Sequence, residues 1–131
     1  MSYEESLKSI TLPVDASLGF YTGVPGLPGS LDPNSGKLYC FVKLVADRQV
    51  GLAVAGADVV VGILQNKPQN AGMAGTIGII GVSNVLVGAA VTFGQLLVAD
   101  ATGRAVPGAG GKWMALSGSA VVGSMIPALK L

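Results

Sequence analysis

The acidic residues are the first candidates for chemistry, because the 131-residue sequence contains no histidine. Histidine is the usual general base at neutral pH and the commonest metal ligand, so its absence excludes Ser–His–Asp and Cys–His arrangements. An Asp between apolar runs ordinarily accepts hydrogen bonds from its own turn. A carboxylate pair assembled by the fold stays open as an alternative. We therefore expect no enzymatic activity, no cofactor and no metal site. The seven carboxylates of the sequence are Glu4, Glu5, Asp15, Asp32, Asp47, Asp58 and Asp100.

The stretch LVADATGRAVP, residues 97–107, places charges after thirty-two residues (68–99) that contain none. Asp100 can accept hydrogen bonds from the backbone of a turn, and Gly103 can take a positive φ. This pattern predicts a hairpin rather than an active site. Arg104 then lies on an edge strand, either in solvent or in contact with a neighbouring subunit.

Two other candidates for chemistry, the Gly-Lys pairs and the single cysteine, do not have the flanking residues that a functional site would need. The pairs Gly36-Lys37 and Gly111-Lys112 lack both the following Ser or Thr and the earlier glycine of a phosphate-binding loop. The single cysteine, Cys40, allows no intramolecular disulfide, and its apolar surroundings predict a buried core residue.

Charge and composition narrow the classes of partner. A net charge of +1 without a basic cluster argues against nucleic acid and anionic membranes. The N-terminal MSYEESLKSI has no basic or apolar signal region, so we expect no secretory signal. The uncharged segment 68–99 is long enough to span a bilayer, but its glycines, amides, Val and Ile favour short strands instead. We predict binding to protein, and to neither membrane nor nucleic acid.

Short apolar runs separated by turn residues indicate an all-β protein, in a small barrel-like domain of about eight strands. The nearest alternative to a strand is residues 82–97, where apolar residues at helical spacing leave a short helix open around 88–94. The clearest runs are 37–46, 49–55, 58–66, 95–99, 103–107, 112–117 and 120–126.

The first 36 residues differ from the remainder in composition, since four of the seven prolines and five glycines fall between residues 13 and 36. We therefore divide the chain into an N-terminal arm, residues 1–36, and an all-β core, residues 37–131. We expect the arm to be mobile in the free protein and ordered on a partner, with SITLPV (9–14) adding as a strand to a foreign sheet. The candidate contact residues are Tyr3, Ile10, Leu12, Val14, Phe20, Tyr21 and Arg104.

The segment from Lys37 to Pro107, with GILQNKP followed by GAAVTFGQLLVADATGRAVP, resembles the capsid decoration, or cement, proteins of tailed bacteriophages. The resemblance implies a β-tulip or barrel-like domain of the lambda type on the outer surface of the virion. It further implies that the major capsid protein is the partner, that the protein stabilises the head at capsomer junctions, and that an N-terminal arm docks by strand addition.

The residues independently favour a structural binding module, because apolar strands with few protective charges need partners. Together with the resemblance, which implies trimers or, in some phages, dimers, this leads us to expect a homotrimer in preference to a homodimer. A carbohydrate- or receptor-binding β-domain on a virion surface is the alternative, and it would call for exposed aromatic side chains.

Overall fold

The structure, a computed structural model, describes residues 7–18, 37–66 and 72–131. This part of the chain is nearly all β, as the sequence predicts, but it contains ten strands instead of about eight. None of its helices is long and apolar enough to cross a bilayer. The elements are β1 (Lys8–Pro13), a 3-10 turn (Ala16–Leu18), β2 (Phe41–Ala46), β3 (Gln49–Leu52), β4 (Val60–Leu64), β5 (Ala74–Ile80), β6 (Val82–Leu86), β7 (Leu96–Ala99), β8 (Ala105–Pro107), β9 (Trp113–Ala115) and β10 (Met125–Lys130).

The first five strands form one antiparallel sheet in the order β1-β5-β4-β2-β3. A parallel bridge between Val14 and Val50 joins its two edges, with Asp15 N–H donating to the Val50 carbonyl at 2.9 Å. The sheet is thereby closed into a small barrel. Its interior is a cluster of buried apolar side chains: Val14, Leu18, Cys40, Val42, Val50, Leu52, Leu64 and Ile77.

The last five strands repeat this arrangement in the order β6-β10-β9-β7-β8. Here the closing parallel bridge joins Val87 and Ala105, and Gly88 N–H donates to the Ala105 carbonyl at 2.9 Å. Each strand of the first half thus has a counterpart five strands later. The chain is a tandem duplication of one topology.

Backbone hydrogen bonds fix which residues are equivalent between the halves. Four bonds of the first half each have a matching bond in the second. Val14 N to Met73 O matches Val87 N to Ser124 O, and Tyr39 N to Leu64 O matches Gly94 N to Ala115 O. Cys40 N to Lys37 O matches Gln95 N to Thr92 O, and Ala53 N to Phe41 O matches Gly108 N to Leu96 O. Positive φ angles recur at equivalent positions, in Tyr39 (64°) and Gly94 (83°), and in Arg48 (54°) and Gly103 (78°).

The equivalence identifies residues 19–36 as an insertion in the first half. Leu18 corresponds to Val91, and both side chains are buried. Lys37 corresponds to Thr92, which directly follows Val91 in the chain. The proline- and glycine-rich segment therefore has no counterpart in the second half.

The two halves share one core. Strand β5 passes into β6 through Gly81, whose φ of 106° allows the chain to change sheet. Phe41, Ala53 and Ile63 of the first half belong to the same buried cluster as Trp113 and the other core residues of the second half. The duplicated units are consequently packed against each other.

The arm-to-core boundary at residues 36 and 37 does not hold for residues 7–18. Strand β1 pairs antiparallel with β5, and Val14 and Leu18 are 0% and 1% exposed. The alternation at 9–14 indicates a strand but cannot identify a partner more than sixty residues away, so a foreign sheet was expected. The remainder of the proposed arm, residues 1–6 and 19–36, lies outside the described residues.

Two further expectations are corrected in the second half. The strand expected at 120–126 begins only at Met125, because Ser119 Oγ accepts from Val121 N–H and forms a turn before it. The helix left open around 88–94 is absent from this described stretch, where Val91 pairs with Ser119 in an isolated bridge instead.

Candidate interaction surfaces

The hairpin turn after β7 has the geometry that its sequence predicts. Asp100 Oδ1 accepts from Thr102 N–H at 2.8 Å and from Arg104 N–H at 3.0 Å. Gly103 takes the positive φ of 78°. The carboxylate is thus used to hold its own turn, which confirms the structural interpretation of this motif.

Arg104 is half-buried, and its guanidinium is bound within the same hairpin. Its Nε donates to Thr102 Oγ1 at 3.1 Å. That bond positions the side chain against the turn. Contact between Arg104 and a neighbouring subunit stays a prediction.

Asp58 organises the loop between β3 and β4. Its Oδ2 accepts from Val54 N–H at 2.8 Å and forms an ion pair with Lys43 Nζ at 3.0 Å. The Val54 amide, and then Lys43, lower the pKa of this carboxyl below its ordinary value. The negative charge of Asp58 therefore stabilises the conformation of this loop.

Two other potentially reactive groups, Asp15 and Cys40, also have structural roles. Asp15 Oδ1 accepts from Ser17 N–H at 2.9 Å. Cys40 is 1% exposed, and burial raises the pKa of its thiol to about 11, as expected of a core cysteine. In the described ranges no three His, Cys, Asp or Glu side chains lie together as a metal site. The absence of enzymatic activity stays a prediction.

The proposed contact residues of the N-terminal region differ in how exposed their side chains are. Ile10 is 36% exposed on β1, Leu12 is half-buried against the barrel core, and Val14 is 0% exposed. Val14 belongs to the core and cannot contact a partner, which corrects its assignment. Tyr3, Phe20 and Tyr21 lie outside the described residues.

Sequence reasoning missed an apolar surface on the first half. Leu44 is 57% exposed, Val45 is 41% exposed and Val59 is 85% exposed. They lie beside an open groove of about 620 Å³ that also contacts the Lys43–Asp58 ion pair. The run LVA at the end of β2 resembles core strand sequence, whereas the structure extends this hairpin beyond the barrel so that consecutive side chains are exposed.

The second half also exposes apolar side chains. Leu116 is 40% exposed and Phe93 is 73% exposed. An open groove of about 400 Å³ runs between the edge of β7 and the end of β8, lined by Gln95, Leu96, Pro107, Gly108 and Ala109. The only tryptophan, Trp113, is 1% exposed and offers no platform for stacking a sugar ring.

No protein-family model and no curated protein matches the chain. A solved structure, the head fiber gp8.5 N base of bacteriophage phi29, matches with a TM-score of 0.64, over 96% of this chain and 95% of that chain. The sequence identity over the match is 13%, so the likeness is one of fold.

Proposed function

We propose that this chain is a structural protein of a phage virion, which binds the outside of the head and stabilises it at the junctions between capsomers. The observation that carries the proposal is the likeness of fold to the phi29 head fiber base, which extends over nearly the whole length of both chains. The partner is the major capsid protein, and the bound form is a homotrimer.

The surface chemistry supports a role in binding protein. Large apolar side chains are exposed on both halves, among them Leu44 and Phe93. Each carboxylate with a described side-chain hydrogen bond holds its own loop or turn. Exposed large apolar side chains of this kind are typical of protein interfaces.

The segments that would contact the capsid are 1–6 and 19–36, which carry aromatic residues and lie outside the ten described strands. The insertion 19–36 supplies Phe20 and Tyr21, and the N-terminal residues supply Tyr3. Aromatic side chains contribute most to protein interfaces, because each buries a large area with few rotatable bonds. Docking through these segments leaves the barrel surfaces free for contacts between copies.

The test is binding of the purified full chain to heads of the phage that encodes it, prepared without this protein. We expect cosedimentation, density on the outer surface at capsomer junctions in electron cryomicroscopy, and retention of packaged DNA to a higher temperature. Folded protein that does not bind heads, or that binds at the neck or tail, would contradict the proposal. Binding without a gain in DNA retention would contradict its stabilising part.

A further inference from the structure

The structure contains two surfaces that correspond, through the internal duplication, to the two sides of its own inter-half interface. We infer that copies of the chain associate head to tail through these surfaces, repeating between chains the packing that joins the halves within one chain. The inference specifies how the self-association in the proposed function is achieved, and it rests on that part alone.

The inter-half interface supplies the template. Phe41 N–H of the first half donates to the Gly103 carbonyl of the second at 2.8 Å. The Gly103 turn packs against Leu52, where an added Cβ would collide with the leucine side chain. Gln65 Nε2 donates to Ser83 Oγ at 2.7 Å. Each half thus contributes a different face.

The equivalent positions on the opposite halves have no neighbouring half within the chain. Ile10 and Leu44, which correspond to Ser83 and Ala99, are 36% and 57% exposed, whereas Ser83 and Ala99 are 4% and 2% exposed. We name two surfaces by their residues: the first-half surface consists of Ile10, Leu44 and Arg48, and the second-half surface consists of Leu96, Pro107 and Leu116.

The residue types at these positions are complementary. Within the chain, polar Gln65 meets polar Ser83. Their counterparts are Leu116 and Ile10, two apolar side chains that are 40% and 36% exposed. Both members of the pair are polar within the chain and apolar at the counterpart positions, and two exposed aliphatic side chains gain by burying each other. A second copy of this chain supplies such a match.

The groove on the second half also fits this occupant. Leu96, Pro107 and Gly108, which line it, correspond to Phe41, Leu52 and Ala53, against which the Gly103 turn packs. The counterpart of Gly103 is Arg48, at the tip of the β2–β3 hairpin, and both have positive φ. Arg48 carries a side chain where Gly103 has none, so the hairpin tip of the next copy would lie over the groove of about 400 Å³ without repeating the close approach of the Gly103 turn to Leu52.

One backbone hydrogen bond of the template cannot be repeated between copies. Leu86 N–H donates to the Tyr39 carbonyl at 2.9 Å, but the counterpart of Leu86 is Pro13, which has no N–H. The contact between copies is thus an approximate repeat. Because it uses two different surfaces, it closes only as a ring, and three copies would place six similar barrels around one axis.

The test is sedimentation velocity of the full chain and of variants that place a charge on one surface. We expect the wild type to self-associate, and Leu44→Asp or Leu116→Asp to raise the concentration needed for association by ~100-fold or more, because a charge would be buried unpaired. Val122→Asp is the matched control, since Val122 is 57% exposed and outside both surfaces. Circular dichroism verifies that each variant is folded.

Mixing the variants distinguishes head-to-tail contact from a symmetric dimer. Leu44→Asp retains its second-half surface and Leu116→Asp retains its first-half surface, so an equimolar mixture should form heterodimers and nothing larger. A symmetric contact through one surface would instead leave one of the two variants fully dimeric. That result, or a wild type that stays monomeric at high micromolar concentration, would overturn the inference.

Cross-linking reports the number of copies. A double variant, Ile10→Cys with Leu116→Cys, should be joined by a short bismaleimide into a closed covalent oligomer, while either single variant should not be joined. Cross-linked dimers from a single variant would contradict the arrangement. Failure to bind heads while these results hold would reject the capsid role and leave the head-to-tail contact standing.

Discussion

At the scale of single residues, polar side chains in this protein chiefly hold the backbone. Asp58 and Asp100 each accept hydrogen bonds from two backbone amides of their own loops. Such bonds replace contacts that the amides would otherwise make with water. The acidic residues that first suggest chemistry are therefore those whose loss should be measured as a loss of stability.

Asp58→Asn should reduce stability at neutral pH and have less effect in acid. The folded pKa lies below the ordinary value of 3.8, so the ionised form is favoured by folding. Its contribution is fully present above that ordinary value and is lost as the pH falls through the lowered folded pKa. Thermal unfolding of wild type and variant from pH 2.5 to pH 7 measures this. A difference between the two that does not shrink below pH 3.8 would contradict the assignment.

Gly103→Ala should be strongly destabilising, since the methyl group would meet Leu52 and the residue keeps a positive φ of 78°. Overpacking and the backbone penalty together cost about 2–5 kcal/mol. Gly110→Ala is the control, because Gly110 has a φ of 81° with nothing within 4 Å of an added Cβ, so it should cost only ~1 kcal/mol. Equal losses in denaturant unfolding would show that Gly103 is not a close contact between the halves.

At the scale of elements, the duplication predicts which segment can be removed without loss of the fold. Val91 and Thr92 are consecutive, and their counterparts Leu18 and Lys37 are separated by the insertion 19–36. Joining Leu18 directly to Lys37 should leave both barrels folded, with a change of at most about 2 kcal/mol in unfolding free energy from the shorter loop. Circular dichroism and denaturant unfolding measure this.

The matched comparison is deletion of residues 7–18, which removes β1 and the buried Val14 and Leu18. This deletion should abolish cooperative unfolding. If removal of 19–36 is equally damaging, the insertion is part of the fold and the equivalence of Leu18–Lys37 with Val91–Thr92 is wrong. If the shortened protein is folded but no longer binds heads, the insertion is the capsid contact.

Much of the secondary structure can be read from the sequence, because turn residues and short β-branched runs act locally. The strands around 41–52 and 96–107 and the Asp100 hairpin are examples. The pairing of β1 with β5 is not local, and residue types alone do not specify it. The start of the last strand, expected at residue 120 and found at Met125, could not be predicted because the turn before it depends on a hydrogen bond from Val121 N–H to the Ser119 side chain.

The duplication is hidden in the sequence for a related reason. The tetrapeptide LVAD occurs at 44–47 and at 97–100, but the backbone hydrogen bonds equate Val42 with Leu97, two residues out of that register. Equivalent positions keep backbone geometry while side chains change, as Gln65 and Leu116 do. The exposed surfaces could not be predicted, since the exposure of a side chain depends on whether the other half of the chain packs over it.

At the scale of the whole molecule, the two barrels share a buried core and should therefore unfold as one cooperative unit. Phe41, Ala53 and Ile63 of the first half are 0% exposed because the second half covers them, and they share its core cluster. Separating the halves would expose these side chains to water, at a cost of roughly 2 kcal/mol for each large one. Neither half should therefore remain folded when the other unfolds.

The chain offers one native probe in each half, since Cys40 and Trp113 are the single residues of their types. Both are 1% exposed, and the thiol pKa of about 11 keeps Cys40 protonated as well as inaccessible. Maleimide labelling of Cys40 should therefore follow the unfolding of the first barrel, while the fluorescence of Trp113 follows the second. At one protein concentration, we expect both probes to give the same denaturant midpoint and the same slope. Leu44→Asp is the control for association, because it should shift both curves together. If Cys40 becomes reactive while Trp113 fluorescence is still native, the first barrel unfolds alone, and the shared core does not couple the duplicated halves.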